Sequence, residues 1–210
     1  MKNKIAILLV ISLLLILLSE ITNYLLDYNK LIYDSLAEKL TSYQLEGVFD
    51  FKNKWQWVTY ILITILLFFK SLLISSVLYI SVFFKSKVNV EFKQILDVTI
   101  KAELVFVFIP IIKIIWFYFI QTNYSLEDIQ YFFPLSALNI FDYKELESWL
   151  IYPLQTLNVF ELAYIIILSY QLGTLTNTNA DTGLKIVASS YLPALLLWVT
   201  VVMFFTLNFS

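Results

Sequence analysis

The chain has 210 residues, 60% of them hydrophobic and 14% charged, with a mean hydropathy of +0.80. Soluble domains carry about 45–50% apolar and about 25% charged residues, so lipid is part of this chain's solvent. Fourteen basic residues, all Lys, against sixteen acidic ones give a net charge of −2, which argues against a nucleic-acid or polybasic lipid-binding surface. Arg, His and Cys are absent, which excludes disulfides, thiol nucleophiles, imidazole bases, thiolate or imidazole metal sites and bidentate Arg clamps on phosphate.

A bilayer crossing needs roughly 20 mostly apolar residues. Five stretches qualify, predicting an all-α polytopic integral membrane protein with five transmembrane helices in a single membrane domain. The first stretch covers about 5–26. Lys2 and Lys4 precede it and no small-x-small cleavage site follows, so it reads as a signal anchor rather than a removable signal peptide. From about 24 to 46, Leu25, Tyr28, Ile32, Leu36, Leu40 and Tyr43 recur at spacings of three and four. That spacing predicts an outer amphipathic helix continuing the first span as a rod. It lies on the outer leaflet or its own bundle, or offers a docking surface.

The second span runs over 57–84. The segment 88–101 reads as an inner amphipathic helix along Phe92, Ile95, Leu96 and Thr99, and the third span covers 104–120. The outer loop 121–148 holds two capping-box patterns, Ser125-x-x-Asp128 and Asp142-x-x-Glu145. They predict two short interfacial helices, separated by Pro134 and the apolar run 135–141. Spans four and five cover 150–172 and 186–207, joined by a short polar inner loop.

Orientation follows from the Lys residues, which favour the inner side. Lys2, Lys4 and the cluster Lys85, Lys87, Lys93 and Lys101 fall inside, whereas the loops 20–54 and 121–148 are acid-rich. The prediction is N-in, C-out, with Trp55, Trp57, Trp116 and Trp149 at the outer boundary. Heavy use of Lys, Asn, Ile and Tyr suits an AT-rich bacterial genome, and hence a bacterial cytoplasmic (inner) membrane.

The informative residues are the charges inside spans: Lys70, Lys113 and Glu161. Each costs about 2.5–3.5 kcal/mol on an insertion scale unless paired, snorkelling or hydrated. Pro110 deprives the Phe106 carbonyl of its donor, predicting a kink with a free carbonyl beside the Lys113 ammonium. Pro193 does the same near Ser189. Glu161 shares a face with Asn158 and Tyr164, predicting a polar stripe along span four. Three readings follow. Glu161, Asn158 and Lys113 or Lys70 form a buried network that binds a small anion or relays a proton; the charges pin helices together or snorkel; or a charge faces a partner subunit. Two Lys to one Glu leave a surplus positive charge that must be neutral, solvated or answered from outside the chain.

Catalytic signatures are wanting. Lys70 with Ser71 or Ser75 makes a poor dyad, because neighbours in a helix do not face each other. Paired intramembrane carboxylates, HExxH and phosphate loops are missing, and no cofactor motif is present. No span holds a Gly-x-x-x-Gly pair, so close helix approach is expected at Ser75-Ser76 and Ala188-Ser189-Ser190.

From about residue 90 onward the chain resembles the Yip1-domain family of five-span membrane proteins. The likeness rests on Phe92-Lys93-Gln94-Ile95-Leu96 leading into a span with Pro110. It continues in Leu157-Asn158-Val159-Phe160-Glu161 leading to Leu172-Gly173, Lys185 and a final apolar span. The long outer helix and Lys70 are departures from it. The resemblance implies a membrane scaffold without chemistry of its own. The functional expectation is therefore a non-enzymatic accessory subunit that binds other integral membrane proteins, in a secretion or trafficking complex, with the lipid bilayer as its other partner. A small permease or ion-handling protein using Lys113 and Glu161 is the alternative.

Overall fold

The computed structural model describes residues 2–85 and 88–209, and among them the chain is helical throughout apart from loops and one isolated bridge. Four helical stretches are long and apolar enough to cross a membrane: Ile5–Leu25, Ser42–Lys85, Phe92–Ile120 and Ala180–Phe209. Lys87, read above as part of the inner basic cluster, lies outside the described residues.

Helix α1 (Lys2–Leu25) ends where Asp27 takes a left-handed conformation, φ 47°, which Asp tolerates better than most residues. The chain turns there into α2 (Tyr28–Ala37), which packs antiparallel to the start of α3 (Ser42–Lys85). Lys52 donates to Asn29, and the Tyr33 and Phe49 rings lie 5.5 Å apart. The predicted rod over 24–46 is thus two helices in a hairpin. Spacing of three and four runs through the turn at 38–41 because each helix has its own apolar face, and periodicity does not register the reversal. With 44 residues, α3 is about 66 Å long, twice the hydrocarbon thickness. It begins well before the predicted residue 57.

Helix α4 (Phe92–Ala102) opens on a capping box between Glu91 and Gln94. It runs without interruption into a 3-10 turn (Glu103–Val107), α5 (Phe108–Ile115) and a π-helical turn (Trp116–Ile120), giving one rod of 29 residues. The predicted inner amphipathic helix is therefore the first half of span three. Its Ile95, Val98, Thr99, Ile100 and Ala102 are all buried in the bundle. Pro110 lies in the first turn of α5, just beyond the change of winding.

In the outer loop, Ser125 and Asp128 cap α6 (Leu126–Tyr131) reciprocally: the Ser125 N–H donates to Asp128 Oδ2 at 2.8 Å and the Asp128 N–H to Ser125 Oγ at 3.1 Å. The second predicted helix does not form. Asp142 accepts the N–H of Lys144, two residues on, which makes a turn. A 3-10 turn (Ala137–Ile140) precedes it.

The predicted fourth span is broken. α7 (Ser148–Thr156) stops, Asn158 is extended, and α8 (Val159–Leu175) starts afresh. Asn158 competes for backbone groups, as short polar side chains do. Its amide donates to the carbonyls of Gln155 and Thr156 at 2.9 and 3.0 Å, and its Oδ1 accepts the Glu161 N–H at 2.8 Å. The loop strand beside it satisfies the remaining groups: Ala137 N–H donates to Leu157 O, and Val159 N–H to Leu135 O.

Helix α9 (Ala180–Phe209) continues through Pro193 and returns antiparallel to α8. The two backbones come close at Gly183, where an added Cβ would lie 1.8 Å from the Ser169 carbonyl oxygen. The expectation of Ser- and Ala-mediated approach is corrected at this crossing: only hydrogen fits. Ser75 lies instead at the α3–α4 contact, its hydroxyl oxygen 3.0 Å from that of Thr99, and the buried Ser190 bonds back to its own helix. α3 meets α9 at the opposite end of α3 from its contact with α2, through Ser81 and Lys85 against Ser189. The pairings put the ends at Lys85, Phe92, Leu175 and Ala180 together at one end of the bundle. The core lies between α3, α4, α8 and α9, around Leu78, Ile95, Tyr164, Leu168 and Ile186.

Candidate intramembrane polar site

Lys70 projects from the middle of α3 toward the 3-10 turn of the rod. Its Nζ lies 2.8 Å from Glu103 Oε2 and 3.9 Å from the centre of the Phe106 ring. The Glu103 side chain is 1% exposed, whereas that of Lys70 is 43% exposed. The Tyr164 hydroxyl donates to the other Glu103 oxygen at 3.1 Å, so both carboxylate oxygens are engaged. Tyr164 also stacks obliquely on Phe106 at 5.1 Å and on Tyr191 at 5.6 Å. The Tyr191 hydroxyl donates to Glu161 Oε1. One turn along, the Ser75 and Thr99 hydroxyl oxygens lie 3.0 Å apart, extending the polar seam between α3 and α4. A buried, doubly satisfied carboxylate beside an ammonium is electrostatically self-consistent in lipid, where either charge alone is costly.

Of the residues singled out in the sequence, Lys70, Tyr164 and Glu161 are gathered here. Lys113 is not. It lies about 15 Å further along the rod from Glu103, half-buried, and forms no hydrogen bond or ion pair among the described residues. Lys70 pairs with Glu103 rather than Glu161. Asn158 caps α8 instead of continuing a polar stripe. Ser71 and Ser75 direct their hydroxyls to the Leu67 and Ser71 carbonyls, away from Lys70. Sequence reasoning missed Glu103, which fell between a presumed interfacial helix and a span, and Tyr191, whose hydroxyl partner depends on the α8–α9 register. A signal for the first existed: Thr99 and Glu103 are one turn apart, so the polar face continued into the span. A signal at α8 existed too, since Asn158-x-x-Glu161 is a helix-start pattern.

A shallow, open recess lies between α4 and α8, lined by Gln94, Asp97, Lys101, Tyr170, Gln171 and Thr174. Lys101 and Asp97 pair on its α4 wall at 2.6 Å. Among the described residues no three acidic side chains converge as metal ligands.

Long apolar helices joined through an intramembrane ion pair define the class, a helical membrane protein. The sequence matches no protein-family model and no curated protein, and the fold matches no solved structure.

Proposed function

We propose that the protein is a non-enzymatic scaffold or accessory subunit that binds other integral membrane proteins, in a secretion or trafficking complex of a bacterial inner membrane. The observation that carries this reading is Lys113. An ammonium in an apolar rod, with no partner among the described residues, is costly unless answered from outside the chain or drawn to the interface. The resemblance to the Yip1-domain family points the same way. In this reading α7 and α8 together make a fourth crossing, so that five spans run N-in, C-out. The gathering of Lys85, Lys93 and Lys185 near one end of the bundle supports that orientation.

The test is purification of the tagged protein at native level in mild detergent, with particle size and composition measured. One defined membrane complex is expected, and Lys113→Met should release it while leaving the protein abundant. A solitary monomer or homodimer in native extracts would refute the reading. Because the chain has no Cys, single Cys residues at Lys85 and Asp142 report orientation directly: only the second should react with an impermeant maleimide from outside.

A further inference from the structure

The recess between α4 and α8 has a volume of about 370 Å³, within the range of small-molecule sites, ~300–1,000 Å³. Its polar residues have more bonding capacity than the chain uses. The Lys101 ammonium and the Asp97 carboxylate hold each other at 2.6 Å, with 46% and 23% of their side chains exposed. Among the described residues Asp97 Oδ1 accepts nothing, and neither the Gln171 amide nor the Tyr170 hydroxyl has a partner. Gln94 commits its oxygen to the Glu91 N–H, which leaves its NH2 group available.

The recess lies at headgroup depth. The rod of 29 residues is about 43 Å long, so a hydrocarbon layer of about 30 Å centred on it leaves roughly 6–7 Å at either end. Asp97 lies about 7.5 Å from the start of the rod at Phe92, at that border. Helical side chains lean toward the N-terminus, and Lys101 does so in reaching Asp97, which draws its ammonium to the same level. Toward mid-membrane both walls turn apolar. From Lys101 the same face of the rod continues in Leu104 and Phe108, and from Tyr170 the same face of α8 continues in Ile166 and Leu162, all four exposed.

We infer that the recess holds the headgroup of a phospholipid in which a phosphate is joined to a primary ammonium, the phosphatidylethanolamine class, with the acyl chains along the two apolar rows. The phosphate oxygens accept from Lys101 Nζ and from the Gln94 and Gln171 NH2 groups. The ammonium donates to Asp97 Oδ1 and the Tyr170 hydroxyl. A headgroup with negative charge alone would meet the Asp97 carboxylate beside the very ammonium that attracts it. A quaternary ammonium has no N–H to donate and is held by cages of aromatic rings, whereas Tyr170 is the single aromatic among the described residues lining the recess. A headgroup carrying both charges answers base and acid together. Free phosphoethanolamine shares that chemistry but makes no use of the apolar rows.

The full-length protein, purified in mild detergent, is titrated with equimolar phosphatidylethanolamine, phosphatidylcholine and phosphatidylglycerol of identical acyl chains. Native mass spectrometry counts the lipids retained. Phosphatidylethanolamine should be retained roughly tenfold over either competitor, as one additional charge-assisted hydrogen bond gives. An exposed i,i+4 ion pair adds little to stability, so both of its members can be changed with the helix intact. Asp97→Asn leaves a lone cation and should turn the preference toward phosphatidylglycerol, and the double variant Asp97→Asn/Lys101→Gln should abolish it. Equal retention, another lipid leading in the parent protein, or an order unchanged in both variants overturns the inference. Soluble glycerophosphoethanolamine in excess should not displace the retained lipid. Displacement at a concentration equal to that of the lipid would overturn the lipid assignment in favour of a water-soluble zwitterion. The readout needs no partner complex, so it stands or falls apart from the scaffold reading.

Discussion

Replacing Gly183 with Ala adds one methyl group at the most crowded of the three glycines. The new Cβ would lie 1.8 Å from the Ser169 carbonyl oxygen, 2.8 Å from its carbon and 2.9 Å from the Gly173 nitrogen. All three are backbone atoms, so no side chain can swing aside. Ordinary contact begins at 3.4 Å, so the α8 and α9 backbones must part by about 1.6 Å at this level. The separation falls on the pair that carries Tyr164, Glu161 and Tyr191. Overpacking of a well-filled core costs typically about 1–3 kcal/mol, and a backbone-on-backbone clash belongs at the upper end, about 2–3 kcal/mol. The control is the same change at Gly47, where an added Cβ meets nothing within 4 Å. There Ala gains about 0.5–1 kcal/mol in helix propensity. Unfolding in mixed micelles, titrated with SDS and followed by Trp fluorescence, measures both. Gly183→Ala should shift the midpoint strongly downward and Gly47→Ala leave it unchanged or raised. If Gly183→Ala melts with the parent, or if both changes cost the same, the reasoning from helix proximity is wrong.

Three further outcomes follow from the polar contacts. Lys70→Met strands the buried Glu103 carboxylate and should cost about 2–4 kcal/mol, somewhat below a fully buried pair because Lys70 is partly exposed. Adding Glu103→Gln should recover much of that loss in a double-mutant cycle by the same SDS titration. Asn158→Ala removes the α8 cap and should cost about 1 kcal/mol, seen as faster hydrogen exchange at the first turn of α8. The outer loop should show two pH limits. The Ser125 N–H, with the Ser125 and Tyr143 hydroxyls, holds the Asp128 carboxyl below its ordinary 3.8, so its contribution is complete above that value and lost as pH falls through the lower folded one. Burial, followed by the Asp128 carboxylate, pushes the Tyr143 hydroxyl up to about 12, so its contribution is lost as pH rises from 10 toward that value. Limited proteolysis of the loop across pH reads both limits. Asp128→Asn should flatten the acid one, and a profile unchanged by that substitution would contradict the assignment.

The apolar runs and the reciprocal Ser125–Asp128 cap were legible because each depends on residues close in sequence. Lys70 was legible as a demand: an ammonium in mid-span needs company. What stayed hidden is which company. Glu103 answers it from 33 positions away, and that contact exists only because α4 continues into the span rather than lying on the membrane. The α2–α3 hairpin was hidden for the opposite reason, since a reversal at Asp27 and again at 38–41 leaves the apolar spacing intact. The break at Asn158 lay open to a local reading, since a helix-start pattern sat inside an apolar run, but hydropathy averages over it. Gly183 could be ranked only once its opposite number on α8 was known.

Helix α8 is 17 residues long, about 25 Å, against a hydrocarbon layer of about 30 Å, while its neighbour α9 has 30 residues. The apolar residues exposed on α8, Leu162, Ile166 and Tyr170, therefore fall short of the layer unless α7 is added, so any fourth crossing carries the break at Asn158 within its own length rather than at its surface.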